Sequence, residues 1–173
     1  MQRYSRLLDR YPSLTRIVTT GSLFWLGDVL SQGIERRGMN KPFDWHRNVR
    51  FTGFGTLVAA PMFIGYYNKF LPTLFPGAGA GTVGRKVLFD QTVWAASFIT
   101  FLFYALARLE GRAHGPAWSH ASANVWPSLK VNWMVWPGVM FLNFYVVPLK
   151  FQILVVNVVA LFWNTFLSYR NSL

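Results

Sequence analysis

Apolar residues fall into five stretches, and most charged residues lie between them. The first stretch runs from Leu14 to Ile34 and is interrupted by Asp28. The other four each have 17 to 19 residues without a charge, over 51–68, 91–107, 131–149 and 151–169. At ~1.5 Å per residue, such runs are long enough to cross a hydrocarbon core of ~30 Å. Because backbone polar groups in lipid must be satisfied within the segment, the pattern predicts an all-α, polytopic integral membrane helix bundle.

The bundle is expected to contain four to five apolar helices in a single domain over residues 1–173. Only Pro148-Leu149-Lys150 separates the last two runs, which predicts either a tight turn or one long kinked helix. Three basic connections, 35–50, 70–86 and 110–130, separate the earlier runs and hold all three histidines. The middle connection is rich in glycine and proline and predicts a loop. Every connection is basic, so the positive-inside rule assigns no orientation.

The N-terminus places Arg3, Arg6 and Arg10 on one face of a predicted helix, with apolar side chains such as Leu7 and Leu8 beside them. This pattern is typical of an interfacial helix that touches anionic lipid. An arginine-rich, acid-poor start is also typical of a mitochondrial address segment. The two interpretations are compatible.

Composition places the chain among membrane proteins. It is 53% hydrophobic and only 13% charged, whereas soluble domains have about 25% charged residues. The formal net charge is +11, and the basic residues flank apolar runs without forming a block. We therefore expect the lipid bilayer, with anionic lipid, as a partner and no nucleic acid. A second copy of the chain, in a homo-oligomer, is a further candidate partner. The sequence has no cysteine, which excludes disulfides and thiolate chemistry.

Motifs for catalysis or cofactor binding are weak. Residues 79–84 match GxGxxG, but two prolines precede them where a dinucleotide fold requires a strand. We interpret them as a flexible loop. The sequence contains no HExxH and no GxSxG. We expect no enzymatic activity, no catalytic residue, no metal site and no cofactor.

Polar side chains at membrane depth are the informative feature, since such groups are costly there and usually face a bundle interior or a water-filled path. Their spacing predicts shared helical faces for Asp28 and Gln32, four apart, and for Asn132 and Asn143, eleven apart. It predicts the same for Asp90, Ser97 and Tyr104 and for Asn157 and Asn164, which are seven apart. The candidates for a polar lining are Asp28, Gln32, Asp90, Gln91, Asn132, Asn143, Asn157 and Asn164. Arg50 and Lys86 are the candidate counter-charges.

Two interpretations of these polar residues remain open. They hold the helices together through hydrogen bonds worth ~0.6 to 2 kcal/mol each, or some of them line a hydrophilic pore. Small residues in the second apolar run, at 53, 55, 59, 60 and 65, predict close approach of helix backbones.

Several motifs occur in a recognisable order. They are GSLFWLGDVLSQ (21–32), Asp44-Trp45 with Arg47, Asp90-Gln91, WPSLKVNWMVWP (126–137), NFYVVP (143–148) and VNVVALFWNTFLS (156–168). Together they resemble the Mpv-seventeen / peroxisomal membrane protein twenty-two family over nearly the whole chain. EGR (110–112) and FWNTFLSYRNS (162–172) resemble its fungal Sym-one branch. The chain departs from the family at TVWAASF (92–98), which lacks a proline, so a kink in the third helix is not expected from it.

The resemblance implies a multi-pass protein of the mitochondrial inner membrane, with the peroxisomal membrane as alternative. It also implies a passive channel for small solutes or ions that contributes to metabolic and mitochondrial DNA homeostasis. A scaffold without conductance and a coupled metabolite transporter are the alternatives. A coupled transporter is disfavoured because no paired halves with matching broken helices are visible.

Overall fold

A computed structural model describes residues 2–36 and 42–171, with side chains described as far as residue 165. This part of the chain is helical and contains no strand, so the predicted all-α fold class is confirmed. The helices are α1 (Gln2–Arg10), α2 (Pro12–Glu35), α3 (Trp45–Phe54), α4 (Ala60–Gly65), α5 (Leu71–Leu74), α6 (Ala80–Phe89), α7 (Ala95–Leu109), α8 (His114–Val146) and α9 (Leu149–Asn171).

Three π-helical turns lie inside longer continuous helices. They are π1 (Gly55–Ala59) and π2 (Tyr66–Phe70), between α3 and α5, and π3 (Asp90–Trp94), between α6 and α7. π1 ends just before Pro61, and Ala60 N–H donates to the Gly55 carbonyl five residues back. A proline ring clashes with the preceding turn and removes one hydrogen bond. The wider π turn accommodates both effects without ending the helix.

The first of two compact units comprises Met1–Phe70 and Leu149–Leu173. Within it, α2 packs along α9 and also contacts α1, α3, π1 and α4. Two glycines allow this close packing: Gly55 lies against the ring of Phe24, and Gly21 lies beside Thr56. Ala59 and Ala60 are fully buried. The close approach predicted from small residues is therefore seen at residues 55, 59 and 60, whereas nothing packs closely on Gly53 or Gly65.

The second unit comprises Leu71–Pro148. Here α7 and α6 both pack along α8. Ala117 and Ala121 are fully buried and lie one turn apart on α8, which places small side chains on a buried face of this helix. Val83 of α6 is also fully buried.

The connections between the helices are shorter than the sequence predicted. The loop predicted for 70–86 is helical from Ala80, so most of the GxGxxG segment lies in α6. The connection predicted for 110–130 is helical from His114, and all three histidines lie in helices. An apolar run shows which residues lipid or a protein core can cover. The hydrogen bonds of the helix continue beyond that run into polar sequence, so the helix is longer than the run.

The last two runs are separated by a turn. α8 ends at Val146, Val147 is extended with φ −85° and ψ 125°, and α9 begins at Leu149. Pro148 favours this extended conformation of the preceding residue and has no N–H with which to continue the helix. The turn is therefore the correct alternative. Pro127 and Pro137 lie inside α8 without ending it.

Membrane-spanning length is clearest in the second unit. Among the described residues, one continuous helical segment, Ala80–Leu109, is long and apolar enough to cross a membrane. The described part of α9 contains a shorter apolar segment, Leu149–Thr165. The number of spans and the single-domain assignment stay predictions.

Replacement of Gly55 by alanine tests the helix packing of the first unit. A methyl group there would overlap Phe24, and we expect a loss of ~1–3 kcal/mol in unfolding free energy. Gly53→Ala is the matched control, because nothing lies within 4 Å of its added methyl and alanine favours a helix by up to ~1 kcal/mol. Thermal unfolding in detergent micelles, followed by circular dichroism, measures both. Equal midpoints for the two variants would contradict the close contact.

Candidate functional site

The Asp28 carboxylate is the centre of a polar cluster in the first unit. Asp28 is only 3% exposed on α2. Its Oδ1 accepts from Nε of Arg47 at 2.8 Å, and its Oδ2 accepts from Gln32 at 2.7 Å and from Asn48 at 3.0 Å. The buried charge thus has an opposite charge and two amide donors, as a carboxylate removed from water requires.

Gln32 connects the end of α2 to the start of α3. Its Oε1 accepts from the backbone N–H of Asp44 at 2.8 Å, and its Nε2 donates to the Asp44 carbonyl at 3.0 Å. The side chain of Asp44 caps α3 by accepting from the N–H of Arg47 at 2.8 Å. One glutamine side chain therefore satisfies both backbone groups of the residue that starts the next helix.

Arg47 is the counter-charge of this cluster. Besides Asp28, it binds both carboxylate oxygens of Glu35, at 2.6 and 3.2 Å. Hydrogen bonds to Glu35 raise the pKa of Arg47 above its ordinary value, burial acts in the opposite direction, and Asp28 adds to the rise. Arg50, the predicted counter-charge, forms no ion pair among the described residues. Arg47 lies in the first turn of α3, beside the end of α2, whereas Arg50 lies almost one turn further on.

A second cluster surrounds Asp90 and Gln91, which are 2% and 6% exposed. Gln91 Nε2 donates to Asp90 Oδ2 at 2.7 Å, and its Oε1 accepts from Asn132 Nδ2 at 3.0 Å. A chain of hydrogen bonds therefore links the π3 turn to α8.

The π3 turn explains a further contact in this cluster. Ala95 N–H donates to the Asp90 carbonyl, five residues back, rather than to the Gln91 carbonyl as in an α-helix. The Gln91 carbonyl accepts instead from the indole N–H of Trp133 at 3.0 Å. The π turn thus leaves the Gln91 carbonyl available to a side chain, whereas in a regular helix this carbonyl would accept from a backbone N–H.

Lys86, the second predicted counter-charge, binds elsewhere. Its Nζ donates to the Gly77 carbonyl at 3.0 Å, at the turn that precedes α6. Since Gly77 has φ +103°, this turn requires a left-handed conformation that glycine adopts readily. Lys86 therefore anchors the start of its own helix.

The remaining predicted asparagines differ in burial. Asn157 donates to Thr20 Oγ1 at 2.8 Å, which ties α9 to α2 inside the first unit. Asn143 is buried on α8, with 1% of its surface exposed. Asn164 is exposed on α9, so Asn157 and Asn164 do not share a buried face.

The stripe predicted at Asp90, Ser97 and Tyr104 is broken. Asp90 is buried whereas Ser97 is exposed. The π turn adds a residue to one helical turn, which rotates later positions by ~100° relative to a regular helix. A spacing of seven across such a turn no longer places two side chains on one face.

Residues that sequence reasoning missed include Arg47, Asn48, Thr20 and the buried Gln152. Asp44 carried a usable signal, because aspartate is one of the residues preferred at a helix N-cap. The described residues contain no group of three or more histidine and acidic side chains placed to hold a metal ion.

Comparisons with known proteins point to one family. The model of the Mpv17 / PMP22 family matches residues 107–168. Protein SYM1 of Saccharomyces cerevisiae is 38% identical over 98% of this chain and 88% of its own length. Mitochondrial inner membrane protein Mpv17 of Xenopus laevis is 35% identical over 96% of this chain and 94% of its own. Peroxisomal membrane protein 2 of Bos taurus is 31% identical over 97% of this chain and 87% of its own length.

These names agree with the predicted location in the mitochondrial inner membrane and with the peroxisomal membrane as its alternative. No solved structure matches the chain.

Replacement of Arg47 by glutamine tests the Asp28 cluster. It leaves a buried carboxylate without its cation, and we expect the unfolding free energy to fall by ~2 kcal/mol. Arg50→Gln removes the same charge three residues later, and we expect it to change the unfolding free energy by less than ~0.5 kcal/mol. Thermal unfolding of both variants in micelles measures the difference. A loss at Arg50 equal to that at Arg47 would mean that Asp28 is paired differently.

Proposed function

This chain belongs to the Mpv17 / PMP22 family of membrane proteins, and from that premise we propose that it forms a passive pore for small solutes across the mitochondrial inner membrane. In this role it contributes to metabolic and mitochondrial DNA homeostasis. The residue patterns, the buried polar side chains and the family support the proposal together.

The proposed pore belongs to a polytopic bundle of four to five spans with α1 at the interface. Ala80–Leu109 has the length and composition of a span. α2 has 24 residues and α9 has 23, so each is ~35 Å long and matches the thickness of a hydrocarbon core. α1 exposes Arg3, Arg6 and Arg10 to headgroups and buries Leu8.

The observation that carries the proposal is the buried Asp90 cluster within the Ala80–Leu109 span. Asp90 precedes Arg108 by eighteen residues, ~27 Å along the axis, so with Arg108 at one membrane surface this carboxylate lies near the opposite end of the hydrocarbon core, ~6 Å inside Lys86. An ionisable group inside a span is costly and is by default a candidate for function. π turns also occur frequently at functional sites.

The eight predicted lining residues divide into two roles in this proposal. Asp28, Gln32 and Asn157 hold helices of the first unit together through the bonds described above. The proposal assigns the pore lining to Asp90, Gln91, Asn132 and Asn143 of the second unit, of which Asp90, Gln91 and Asn143 are buried. Asn132 and Asn143 are eleven residues apart on α8, which is close to three whole turns, so they face the same direction. Asn164, exposed on α9, belongs to neither set.

The Asp90 carboxylate favours cations in this pathway, whereas the amides of Gln91 and Asn132 suit small polar solutes of either charge. Lys86, one turn earlier on the same helix, attracts anions to the entrance. Charge selection is therefore a property that Asp90 controls directly.

A scaffold without conductance is the second candidate. The Asp28 cluster and the Asn157–Thr20 bond favour it, because these buried polar groups are satisfied within the first unit and serve packing. A scaffold predicts that loss of such bonds lowers stability and that solute flux is absent.

Conductance of the purified protein in a planar bilayer tests the pore. We expect discrete openings for the wild type and a cation-to-anion permeability ratio that falls roughly two- to fivefold in Asp90→Asn, since a nearby charge in water is worth ~1 kcal/mol. Asp28→Asn is the control and is expected to keep the wild-type ratio while lowering stability. Folded protein that stays silent across a range of voltages would support the scaffold. An unchanged ratio in Asp90→Asn would remove Asp90 from the pathway.

A further inference from the structure

An open groove of about 430 Å³ lies on the second unit, between α7 and α8. It is lined by Ala96, Ser97, Thr100, Phe101, Tyr104 and Trp118. Its volume is within the range of sites that bind small organic ligands. None of these residues takes part in the Asp90 cluster.

The lining of the groove follows one stripe of α7. Ser97, Phe101, Tyr104 and Arg108 are spaced by four, three and four residues, so they share a helical face. Arg108 directly follows the charge-free run 91–107 and is exposed. Arg108 lies outside the lining itself and one turn beyond Tyr104 on this face, so a cation lies next to one end of the groove.

The cationic end of the groove is preorganised. Tyr104 Oη lies 3.0 Å from His114 Nδ1, and the Tyr104 ring contacts the rings of His114 and Trp118 edge to face. Arg108 Nη1 donates to the Arg112 carbonyl at 2.7 Å, which fixes the guanidinium beside the start of α8. A guanidinium has five N–H donors, and this bond uses one of them.

The charge at this end is positive. Arg112 is paired with Glu110 at 3.1 Å, which neutralises that cation. No carboxylate pairs with Arg108 within the described parts of the chain. A fixed guanidinium with this geometry is well matched to a phosphate group.

Depth in the membrane favours a lipid over a soluble ligand. Arg108 ends a charge-free run and so lies at the membrane surface, while Ser97 lies eleven residues deeper, ~16 Å along the helix. That distance is about half of a ~30 Å hydrocarbon core, the depth of one leaflet. Tyrosine and tryptophan at the surface end are typical of the headgroup region.

We propose that this groove is a binding site for one anionic phospholipid, with an acyl chain along Ser97, Phe101 and Trp118 and the phosphate at Arg108. This inference rests on the proposed crossing of the membrane by Ala80–Leu109 and is independent of the pore. Loss of lipid binding with intact conductance, or the reverse, would separate the two proposals.

Native mass spectrometry of the full-length protein in detergent micelles tests the site. The probes are phosphatidylglycerol and phosphatidylcholine with identical acyl chains. We expect the first phosphatidylglycerol to bind about tenfold more tightly than phosphatidylcholine, and Arg108→Gln to abolish this preference. Arg85→Gln removes an exposed arginine of α6 outside the groove and is the matched control, with an affinity expected within about twofold of the wild type.

The acyl chain is tested by filling the groove. Ser97→Trp is expected to weaken binding of both lipids severalfold, whereas Val93→Trp adds an indole at an exposed position outside the groove and leaves binding unchanged. Arg108→Lys keeps the charge and is expected to retain most of the preference, which separates loss of charge from misfolding.

Two results would overturn the lipid site. Equal losses in Arg108→Gln and Arg85→Gln would reduce the effect to general electrostatic attraction. Unchanged binding in Ser97→Trp, together with full competition by inorganic phosphate, would leave a phosphate site that holds no acyl chain.

Discussion

A carboxylate or amide buried among apolar helices has to find its hydrogen bonds within the protein, because neither lipid nor a packed core offers any. This constraint organises each unit of the chain. Asp28 gathers Arg47, Gln32 and Asn48 and so joins the end of α2 to the start of α3. In the second unit, Gln91 joins the π3 turn to Asn132 on α8. Apolar contacts drive helix association weakly in lipid, so these bonds and the close approach at Gly55 carry much of the specificity.

The two carboxylates are used differently in the proposed function. The partner of Asp28 is a guanidinium that also binds Glu35, which makes a closed ionic network suited to holding helices. Asp90 lies in a π turn within an apolar span, beside amides that can exchange hydrogen bonds with polar solutes. A pore needs polar groups that face a path, whereas a stable bundle needs polar groups that face one another. The proposal assigns the first role to polar groups of the second unit and the second role to those of the first unit.

The apolar runs were sufficient to predict an all-helical protein and the family motifs were sufficient to predict its relatives. Helix ends were not predictable, because hydrogen bonding in α6 and α8 continues through glycine-rich and polar sequence. The partner of Asp28 depends on how α3 packs beside the end of α2, which the residue pattern does not show, and the predicted counter-charge Arg50 was therefore wrong for Asp28. The predicted stripe of Asp90, Ser97 and Tyr104 assumed a regular helix, and it failed because the π3 turn lies within it.

The most direct test of a water-filled path is thiol accessibility, and the chain contains no cysteine that would interfere. Asn143 and Leu142 are neighbours at the same depth of α8, but Asn143 is 1% exposed and Leu142 is 61% exposed on the unit. Single cysteines at the two positions would be treated with a charged, membrane-impermeant thiol reagent in liposomes. The account predicts that Asn143→Cys reacts and that the reaction lowers conductance, while Leu142→Cys, facing lipid, reacts slowly. Reaction of Leu142→Cys alone, in correctly folded protein, would contradict a polar path through the second unit.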